Sequence, residues 1–313
     1  MKVLYDLDKY SPAKPAILTI GTFDGVHIGH QKILKSLVDE AQQQNCHSVV
    51  LTFFPHPRIV LQQDHSVRMI DTLDEKITSL EKLGIDILIV QKFTTAFSRI
   101  KAETFARDLL FKKINTKKMI IGYDHRFGKN REATVSDLIG YGQLYNFEVK
   151  VIPAQDIADV AVSSTKIRQA LATGDMQTTN RYLGRHFILS GLVVRGQALG
   201  RTIAFPTANL QLQFPYKILP ANGVYWVQSH WKGQQLHGMM NIGNRPTVDG
   251  KNATIEVHFF DFNQSLYDQK LVIQLLQKIR DEVRFDSLEA LQAQLEKDKT
   301  KCLELHQQNT TNP

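Results

Sequence analysis

The chain has 313 residues, of which 42% are hydrophobic, 9% aromatic and 22% charged. This is ordinary composition for a globular protein, so a disordered, collagen-like or coiled-coil chain is excluded, and the length favours two domains of about 150 residues each. The formal net charge of +7 comes from dispersed lysines and arginines. It therefore indicates small phosphorylated ligands, or simple solubility, rather than nucleic acid as the reason for the basic charge.

The N-terminus and the cysteines indicate the compartment. No apolar run approaches the roughly 18 residues that a membrane-spanning helix needs. Asp6 and Asp8 interrupt the first apolar residues, which is unlike a secretory signal. Cys46 and Cys302 lie far apart and lack a metal-type spacing. We expect a reduced, cytoplasmic protein without disulfides or a membrane partner, with a monomer as the default.

Up to about residue 183, apolar runs of strand length alternate with stretches of helical period. In chain order the sequence predicts a strand at 16–21, a helix around 33–41, a strand at 48–54, a helix at 73–83, a strand at 85–90, a helix at 102–113, a strand at 117–122, a helix at 134–146, a strand at 148–153 and a helix at 163–173. This alternation predicts an α/β domain with a parallel sheet covered on both faces and right-handed crossovers.

The pattern changes near residue 184. Consecutive strand-like segments follow, separated by Gly, Pro, Asn and Asp turns such as PANG and TVDGKN, which predicts an antiparallel barrel. A C-terminal amphipathic helix is predicted at 287–305, with four residues expected to face the barrel: Leu288, Leu291, Leu295 and Cys302. We therefore expect two domains, 1–183 and 184–313.

The segment GTFDGVHIGHQKIL at 21–34 places a glycine-rich turn between the first strand and the first helix. A helix N-terminus at the carboxyl end of a parallel strand favours anion binding. Gly29 lets a phosphate approach the backbone, and the imidazoles of His27 and His30 can donate hydrogen bonds to phosphate oxygens. Two alternatives remain: a plain loop containing two histidines, and a zinc site, which lacks a nearby third ligand.

A second polar stretch, SSTKIRQAL at 163–171, opens a predicted helix. Its hydroxyls, free backbone N–H groups and guanidinium suit another phosphate contact. The alternative is a capped helix with a solvated basic face.

Together, HxGH and SSTKIR resemble the nucleotidyltransferase superfamily, whose members act at the α-phosphate of ATP. TFFPHPR at 52–58 and GYDHRFGKNR at 122–131 resemble, more specifically, the adenylyltransferase module of bacterial bifunctional riboflavin kinase/FAD synthetases. The resemblance implies a Rossmann-like HxGH domain. It implies His27 and His30 as catalytic residues and His56 and Asp124 as flavin-binding residues. The implied ATP-binding set is Gly21, Phe23, Asp24, His27, Gly29, His30, Asp124, Ser164, Thr165 and Arg168. His125 and the pair Glu132-Ala133 depart from the family pattern, in which an aromatic residue and a glycine are common.

In the second half, GLVVRGQALGRTIAFPTANL at 191–210 combines spaced glycines with PTAN. Glycines permit tight turns, and Thr207 and Asn209 carry oxygens suited to Mg²⁺. No Walker A lysine is present, and hairpin turns of a barrel are the simpler interpretation of the glycines. The segment nevertheless resembles the ATP- and magnesium-binding signature of riboflavin kinases, which implies ATP contacts from Gly196, Gly200, Arg201, Thr207 and Asn209, with the last two as metal ligands. Ala204 stands where that family often has glycine.

Further segments follow in the order found in riboflavin kinases, including IEVHFFDF and the stretch ending KIRDEVRF. The resemblance implies Glu256 as the base toward the flavin ribityl hydroxyl, a role that suits a carboxylate. Apolar-polar alternation around it also fits an outward strand residue. Arg280 is implied at the flavin, and a solvated charged face is its alternative.

These resemblances imply one polypeptide that phosphorylates riboflavin to FMN in its barrel and adenylylates FMN to FAD in its α/β domain. ATP is the co-substrate of both steps, Mg²⁺ the metal, and the flavins are substrates and products. Two alternatives are an enzyme of the same superfamily acting on another phosphorylated acceptor, and a non-catalytic RNA- or flavin-binding protein.

Overall fold

The structure is a computed structural model that describes residues 1–62, 67–153, 162–196, 200, 203–247 and 250–311. The chain divides into two compact units, Met1–Ser164 and Thr165–Pro313. No helix in the described part of the chain is both long enough and apolar enough to span a membrane.

The first unit contains a six-stranded parallel sheet. Its strands are β1 Lys2–Tyr5, β2 Ala16–Ile20, β3 His47–Phe54, β4 Ile87–Lys92, β5 Thr116–Gly122 and β6 Glu148–Ile152. They lie in the order β1-β4-β3-β2-β5-β6, and each strand is parallel to its neighbours. The predicted α/β architecture is confirmed, and β1 is an additional edge strand that the apolar pattern did not predict.

Helices cover the sheet. They are α1 Ile28–Gln43, α2 Pro57–Gln62, α3 Leu73–Lys82, α4 Thr95–Ser98, α5 Ala102–Thr104, which continues in π form over Phe105–Lys113, and α6 Val135–Tyr145; short 3-10 turns span Leu7–Lys9 and Lys129–Arg131. Successive side chains of a strand point to opposite faces, so Leu18 and Ile17 of β2 belong to different apolar clusters. The sheet is therefore the middle of three layers, as the sequence predicted.

The second unit begins with two helices, α7 Ser164–Thr173 (whose first residue belongs to the first unit) and α8 Met176–Leu183. Six antiparallel strands then close a barrel in the order β10-β11-β8-β7-β12-β9. They are β7 Phe187–Val194, β8 Ala208–Leu212, β9 Gly223–Trp231, β10 Gln234–Thr247, β11 Gly250–Phe259 and β12 Lys270–Arg280. The predicted barrel is confirmed, and α7 and α8 form one compact unit with it.

A C-terminal helix, α9 Leu288–Thr311, packs against the barrel. Cys302 is fully buried there, with Leu291 and Leu295 packed around the same cluster. The expectation that Leu288 also faces the barrel was wrong, because Leu288 is 55% exposed. Leu288 is the first residue of the helix, and it lies outside the apolar cluster that Leu291, Leu295 and Cys302 share.

Candidate active sites

The first candidate site lies where the strand order of the parallel sheet reverses. From the central strand β2, the chain proceeds to β3 and β4 on one side and later to β5 and β6 on the other. Such a reversal leaves a crevice at the carboxyl ends of the two inner strands, which is where open α/β sheets bind ligands. The loop after β2 contains Gly21 through His27, and the loop after β5 contains Asp124. Three groups of predicted residues therefore meet at one edge of the sheet, since His56 follows the neighbouring strand β3.

The loop after β2 has an unusual backbone. Phe23 and Val26 adopt positive φ angles of 45° and 41°, on either side of Gly25 at 86°. This conformation is costly for a β-branched or bulky residue, and such strain clusters at functional sites. Phe23 is buried and packs edge-on against His30, with 5.2 Å between ring centroids. The loop therefore has a defined conformation that places His27 at the start of α1.

The two histidines of the HxGH motif form a stacked pair. Their ring centroids are 3.6 Å apart, with an interplanar angle of 18°. His27 is the N-cap of α1, and its Nδ1 accepts a hydrogen bond from the backbone N–H of His30. That bond leaves the proton on Nε2. Gly29 is buried in the first turn between them.

Burial keeps both imidazoles neutral. It lowers the pKa of His27 to about 4. The pKa of His30 is well below its ordinary value because of burial first and then the charges of His27 and Lys76. Because imidazolium formation is disfavoured, each ring presents a neutral N–H donor beside a helix N-terminus.

A buried lysine that the sequence analysis missed supports this loop. Lys76 of α3 is 4% exposed, and its Nζ donates to the carbonyl oxygen of Thr22 at 2.6 Å. Burial lowers the pKa of Lys76, and the charges of Asp24 and Asp71 oppose that shift. Asp24 is itself buried and accepts a hydrogen bond from the backbone N–H of Ile70 at 3.0 Å. The sequence does contain a signal that could have identified Lys76, because this lysine lies on the apolar face of a predicted helix, between Leu73 and Leu80.

Ser164 of the SSTKIR stretch contacts this loop. Its hydroxyl donates to the carbonyl oxygen of Asp24 at 3.0 Å. Thr165 and Arg168 lie in the second unit, in the first turns of α7. Thr165 is exposed and Arg168 is half-buried. Their contact with ATP stays a prediction.

Two other predicted residues lie at the ends of neighbouring strands. His56 follows the bond between Phe54 and Pro55, which is cis, and its Nδ1 accepts from the backbone N–H of Arg58. Asp124 is exposed directly after β5. The adjacent His125, one of the departures from the family pattern, stacks on Phe127 with 6.1 Å between ring centroids. Burial lowers the pKa of His125 to about 4, so it fills an aromatic position as a neutral ring.

The second candidate site lies on the barrel. Glu256 on β11 is paired with Asn209 on β8 and with Asn241 on β10. The hydroxyl of Thr207 donates to Oε2 of Glu256 at 3.4 Å. Glu256 points away from the barrel interior, as its alternation with buried Ile255 and Val257 predicts, and it lies beside Thr207. Its role as a base toward the flavin stays a prediction.

Glycines allow the chain to approach this site closely. A Cβ at Gly196 would collide with the side-chain amide of Asn209, and one at Gly200 would collide with the carbonyl oxygen of Phe205. Ala204, where the related family often has glycine, has a φ angle of 64°. The loop thus takes its left-handed turn at a residue that carries a Cβ. Arg201, predicted to bind ATP, lies outside the described residues.

His258 supports the PTAN segment and was not identified from the sequence. Its Nδ1 lies 2.8 Å from the carbonyl oxygen of Pro206, and its ring lies 5.0 Å from that of Phe205. His258 is two residues beyond Glu256, so both side chains lie on the same face of β11. The strand pattern could have predicted that His258 shares a face with Glu256, but not that His258 contacts Pro206.

Arg280 is held by the C-terminal helix. Its guanidinium forms hydrogen bonds to both carboxylate oxygens of Asp298, at 2.7 to 3.0 Å, and to the carbonyl oxygen of Asp281. Asp298 is 2% exposed. The predicted role of Arg280 at the flavin stays a prediction, and its described contacts join the end of β12 to α9.

The described residues contain no group of three or more His, Cys, Asp or Glu side chains able to hold a metal ion. Among those residues, His27 and His30 lack the third ligand that the zinc alternative needs. The absence of such a group from the described residues does not conflict with Mg²⁺ on the barrel, because Thr207 donates to Glu256 there and Asn209 is the cross-strand partner of Glu256. Mg²⁺ typically binds one or two protein oxygens and completes its shell with water and phosphate.

Comparison with known proteins gives a match to each unit. Residues 9–166 match the family model described as FAD synthetase, and residues 183–306 match the one described as riboflavin kinase. The curated bifunctional riboflavin kinase/FMN adenylyltransferase of Escherichia coli K12 is 38% identical over 301 residues, which cover 95% of this chain and 96% of that protein. The Bacillus subtilis 168 protein with the same description is 35% identical over 305 residues, covering 96% of this chain and 95% of its own.

A crystal structure from Streptococcus pneumoniae described as a macrolide-efflux protein is similar along nearly the whole chain. Its TM-score is 0.88 at 32% identity, with 96% of this chain and 98% of that chain covered. This likeness shows the shared fold. Since two family models and full-length curated relatives agree, the chain belongs to the bifunctional riboflavin kinase/FMN adenylyltransferase family.

Proposed function

We propose that the barrel transfers the γ-phosphoryl group of ATP to riboflavin, and that the α/β unit then transfers AMP from a second ATP to the FMN formed. The first step releases ADP and the second releases pyrophosphate. The observation that carries this proposal is the presence of a separate polar site in each matched region: the stacked pair His27 and His30, and the group Thr207, Asn209 and Glu256.

In the adenylyl transfer, a phosphate oxygen of FMN attacks the α-phosphorus of ATP. Negative charge then develops on the nonbridging oxygens and on the departing pyrophosphate. The Nε2–H of His27, the imidazole of His30 and the N-terminus of α1 are the proposed donors to those oxygens. No protein nucleophile is needed, because positioning and charge stabilisation supply the catalysis. Gly21, Phe23 and Asp24 shape the loop that holds this arrangement.

In the phosphoryl transfer, Glu256 accepts the proton of the ribityl hydroxyl as that oxygen attacks the γ-phosphorus. The hydrogen bond from Thr207 orients one carboxylate oxygen of Glu256. Thr207 and Asn209 would hold Mg²⁺, which when bound neutralises phosphate charge. Gly196 and Gly200 let the backbone close over the nucleotide.

We also propose that the two functional modules are residues 1–183 and 184–313, so that α7 and α8 belong to the first module although they pack in the second compact unit. The family models support this division, because one ends at 166 and the other begins at 183. The enzyme is proposed to be a cytoplasmic monomer that binds ATP and flavins and neither nucleic acid nor membranes. Two buried free cysteines agree with a reducing compartment. Light scattering after size-exclusion chromatography tests the monomer.

The function is tested by a time course with riboflavin, ATP and Mg²⁺, in which flavins are separated by chromatography. FMN should appear first and FAD after it. Product from neither flavin would overturn the proposal, and FMN alone would overturn the adenylyltransferase half.

The separation of the sites is tested by crossed variants. His27→Asn and His30→Ala should impair FAD formation from supplied FMN by at least about a hundredfold while leaving FMN formation intact. Glu256→Gln and Asn209→Ala should do the reverse, at about a hundredfold or more. His47→Asn, at the far end of β3, and exposed Glu304→Gln are matched controls that should leave both rates unchanged. Loss of both activities in a folded variant of either set would contradict two separate sites.

A further inference from the structure

The second unit contains a cleft of about 800 Å³ that the proposed kinase site does not use. Its walls come from the start of α8, the strands β9, β10 and β12, and the last turns of α9. Trp226 and Gln228 line it, and they alternate along β9 with the fully buried Tyr225 and Val227. The cleft therefore lies on the outer surface of the barrel wall. Thr207, Asn209 and Glu256 do not line it.

Three aromatic rings form one wall of this cleft. The rings of His237 and His306 have centroids 4.0 Å apart, and those of Trp226 and His306 are 6.4 Å apart. Trp226 is only 5% exposed. Its Nε1–H and the Nδ1 of His237 are both buried and have no hydrogen-bond partner in the described part of the chain. A buried polar group without a partner is unfavourable, so a ligand that pairs with these two atoms would be bound favourably at this wall.

The remaining walls are polar but nearly uncharged. Asp175 is engaged as the N-cap of α8, where it accepts from the backbone N–H of Thr178. Lys278 is paired with Asp281 at 2.6 Å. Met176, His186 and Leu276 also line the cleft. The other lining side chains are amides: Gln177, Asn180, Gln228, Gln235, Gln277 and Asn309. Such a lining favours a neutral ligand with several hydrogen-bonding atoms over a phosphate or a metal ion.

The volume of the cleft and its aromatic wall restrict the chemical class of the ligand further. Small-molecule sites in proteins typically span about 300–1,000 Å³ and combine aromatic walls with a few polar atoms. Aromatic side chains bind flat rings by offset stacking. We propose that this cleft is a second ligand site, which binds a planar nitrogen heterocycle whose carbonyl or ring-nitrogen acceptor pairs with Trp226 Nε1–H and with His237. An isoalloxazine ring and an adenine ring share this chemistry.

His306 controls access to the unpaired atoms. Both atoms are buried, and the half-buried imidazole of His306 contacts both of their rings from the last turns of α9. Rotation of that side chain lets a ligand ring take its place beside Trp226 and His237. The ligand ring then makes the stacking contacts that the imidazole made.

The test is calorimetric titration of the full-length protein with riboflavin and, separately, with adenosine, in the absence of ATP so that no turnover occurs. Trp226→Phe keeps an aromatic ring and removes the N–H, and His237→Leu removes the imidazole nitrogens. Each should weaken one binding event by about tenfold and leave the KM values of both reactions within twofold of wild type. The ligand whose titration changes identifies the ring.

Trp231→Phe is the matched control. Trp231 lies on the same strand, packs edge-on against Phe262 with 5.5 Å between ring centroids, and does not line the cleft. It should leave every binding event unchanged. The proposal is overturned if neither titration changes in Trp226→Phe and His237→Leu, if Trp231→Phe weakens the same event equally, or if the affected event is the catalytic one, as a matching rise in KM would reveal.

Discussion

The ammonium group of Lys76 donates a hydrogen bond to the carbonyl oxygen of Thr22, 54 residues earlier, at 2.6 Å. Thr52 donates to the same oxygen at 3.3 Å. Helix α3 and strand β3 therefore both hold the first residue after Gly21, where the chain turns into the HxGH loop. The charges of Asp24 and Asp71 favour the charged form of Lys76 despite its burial. We therefore predict that Lys76 is a positioning residue for the HxGH loop.

We predict that Lys76→Met lowers FAD formation from FMN by tenfold or more and leaves FMN formation from riboflavin unchanged. The reason is that the variant removes the hydrogen bond to Thr22 and the positive charge that interacts with Asp24 and Asp71. Removing one side of a buried charge cluster typically costs about 3–5 kcal/mol, so the first unit should also unfold more readily in urea. Paired assays of the two reactions, with Lys82→Met on the exposed side of the same helix as control, measure this. Equal loss of both activities would contradict the role.

The second prediction concerns Ala204, which has a φ angle of 64° and an exposed side chain. A left-handed backbone costs a residue with a Cβ roughly 1–2 kcal/mol, and the greater freedom of glycine in the unfolded chain offsets about 0.4–1 kcal/mol of that. Ala204→Gly should therefore raise the free energy of unfolding by about 0.5–1 kcal/mol, as measured by thermal denaturation.

Ala133, another departure from the family pattern, should respond to glycine in the opposite direction. Ala133 is 5% exposed and pairs with Phe127 in an isolated bridge. Ala133→Gly should lower the free energy of unfolding by about 1 kcal/mol or more, since it removes a buried methyl group and adds backbone freedom. Changes of the same sign in Ala204→Gly and Ala133→Gly would refute this explanation.

The features of these two sites that depend on local sequence could be predicted, whereas the contacts between distant segments could not. Local patterns placed His27 at a strand-helix junction, because capping, turn residues and apolar period act over a few residues. The pairing of Glu256 with Asn209 depends on the register of strands far apart in the sequence. The contacts of Lys76 with Thr22 and of His258 with Pro206 also join segments far apart in the sequence. Each is a polar residue on an otherwise buried face, and its partner is known only from the tertiary structure.

The third prediction is that His258 positions the PTAN segment through its hydrogen bond to Pro206. His258→Phe keeps a ring against Phe205 but loses the donor. It should raise the KM for ATP in the kinase reaction severalfold more than it lowers kcat, with FAD formation from FMN unaffected. His258→Asn, which retains a side-chain N–H, should recover part of the loss. A purely structural role would give parallel losses of stability and kcat, with no rescue by asparagine.

The last prediction follows from the neutral imidazole of His27. Burial lowers its pKa to about 4 in the folded protein, against about 6.5 for an ordinary histidine. Between these values the unfolded chain binds a proton that the folded protein does not, so the free energy of unfolding falls as the pH falls from 6.5 to 4. For His27 alone the full loss is at most about 3 kcal/mol. His27→Asn should reduce this dependence, and asparagine can still cap α1 by accepting from the backbone N–H of His30.

The measurement is urea unfolding at pH 7 and pH 5, followed by circular dichroism, with the transitions of the two units fitted separately. The difference between the two pH values should be smaller in His27→Asn than in wild type, in the transition of the first unit only. His125→Asn should act in the same direction, since burial also lowers the pKa of His125 to about 4. If His27→Asn loses as much stability as wild type between the two pH values, the imidazole of His27 is not held neutral by the fold, and its proposed role as a neutral donor to phosphate fails with it.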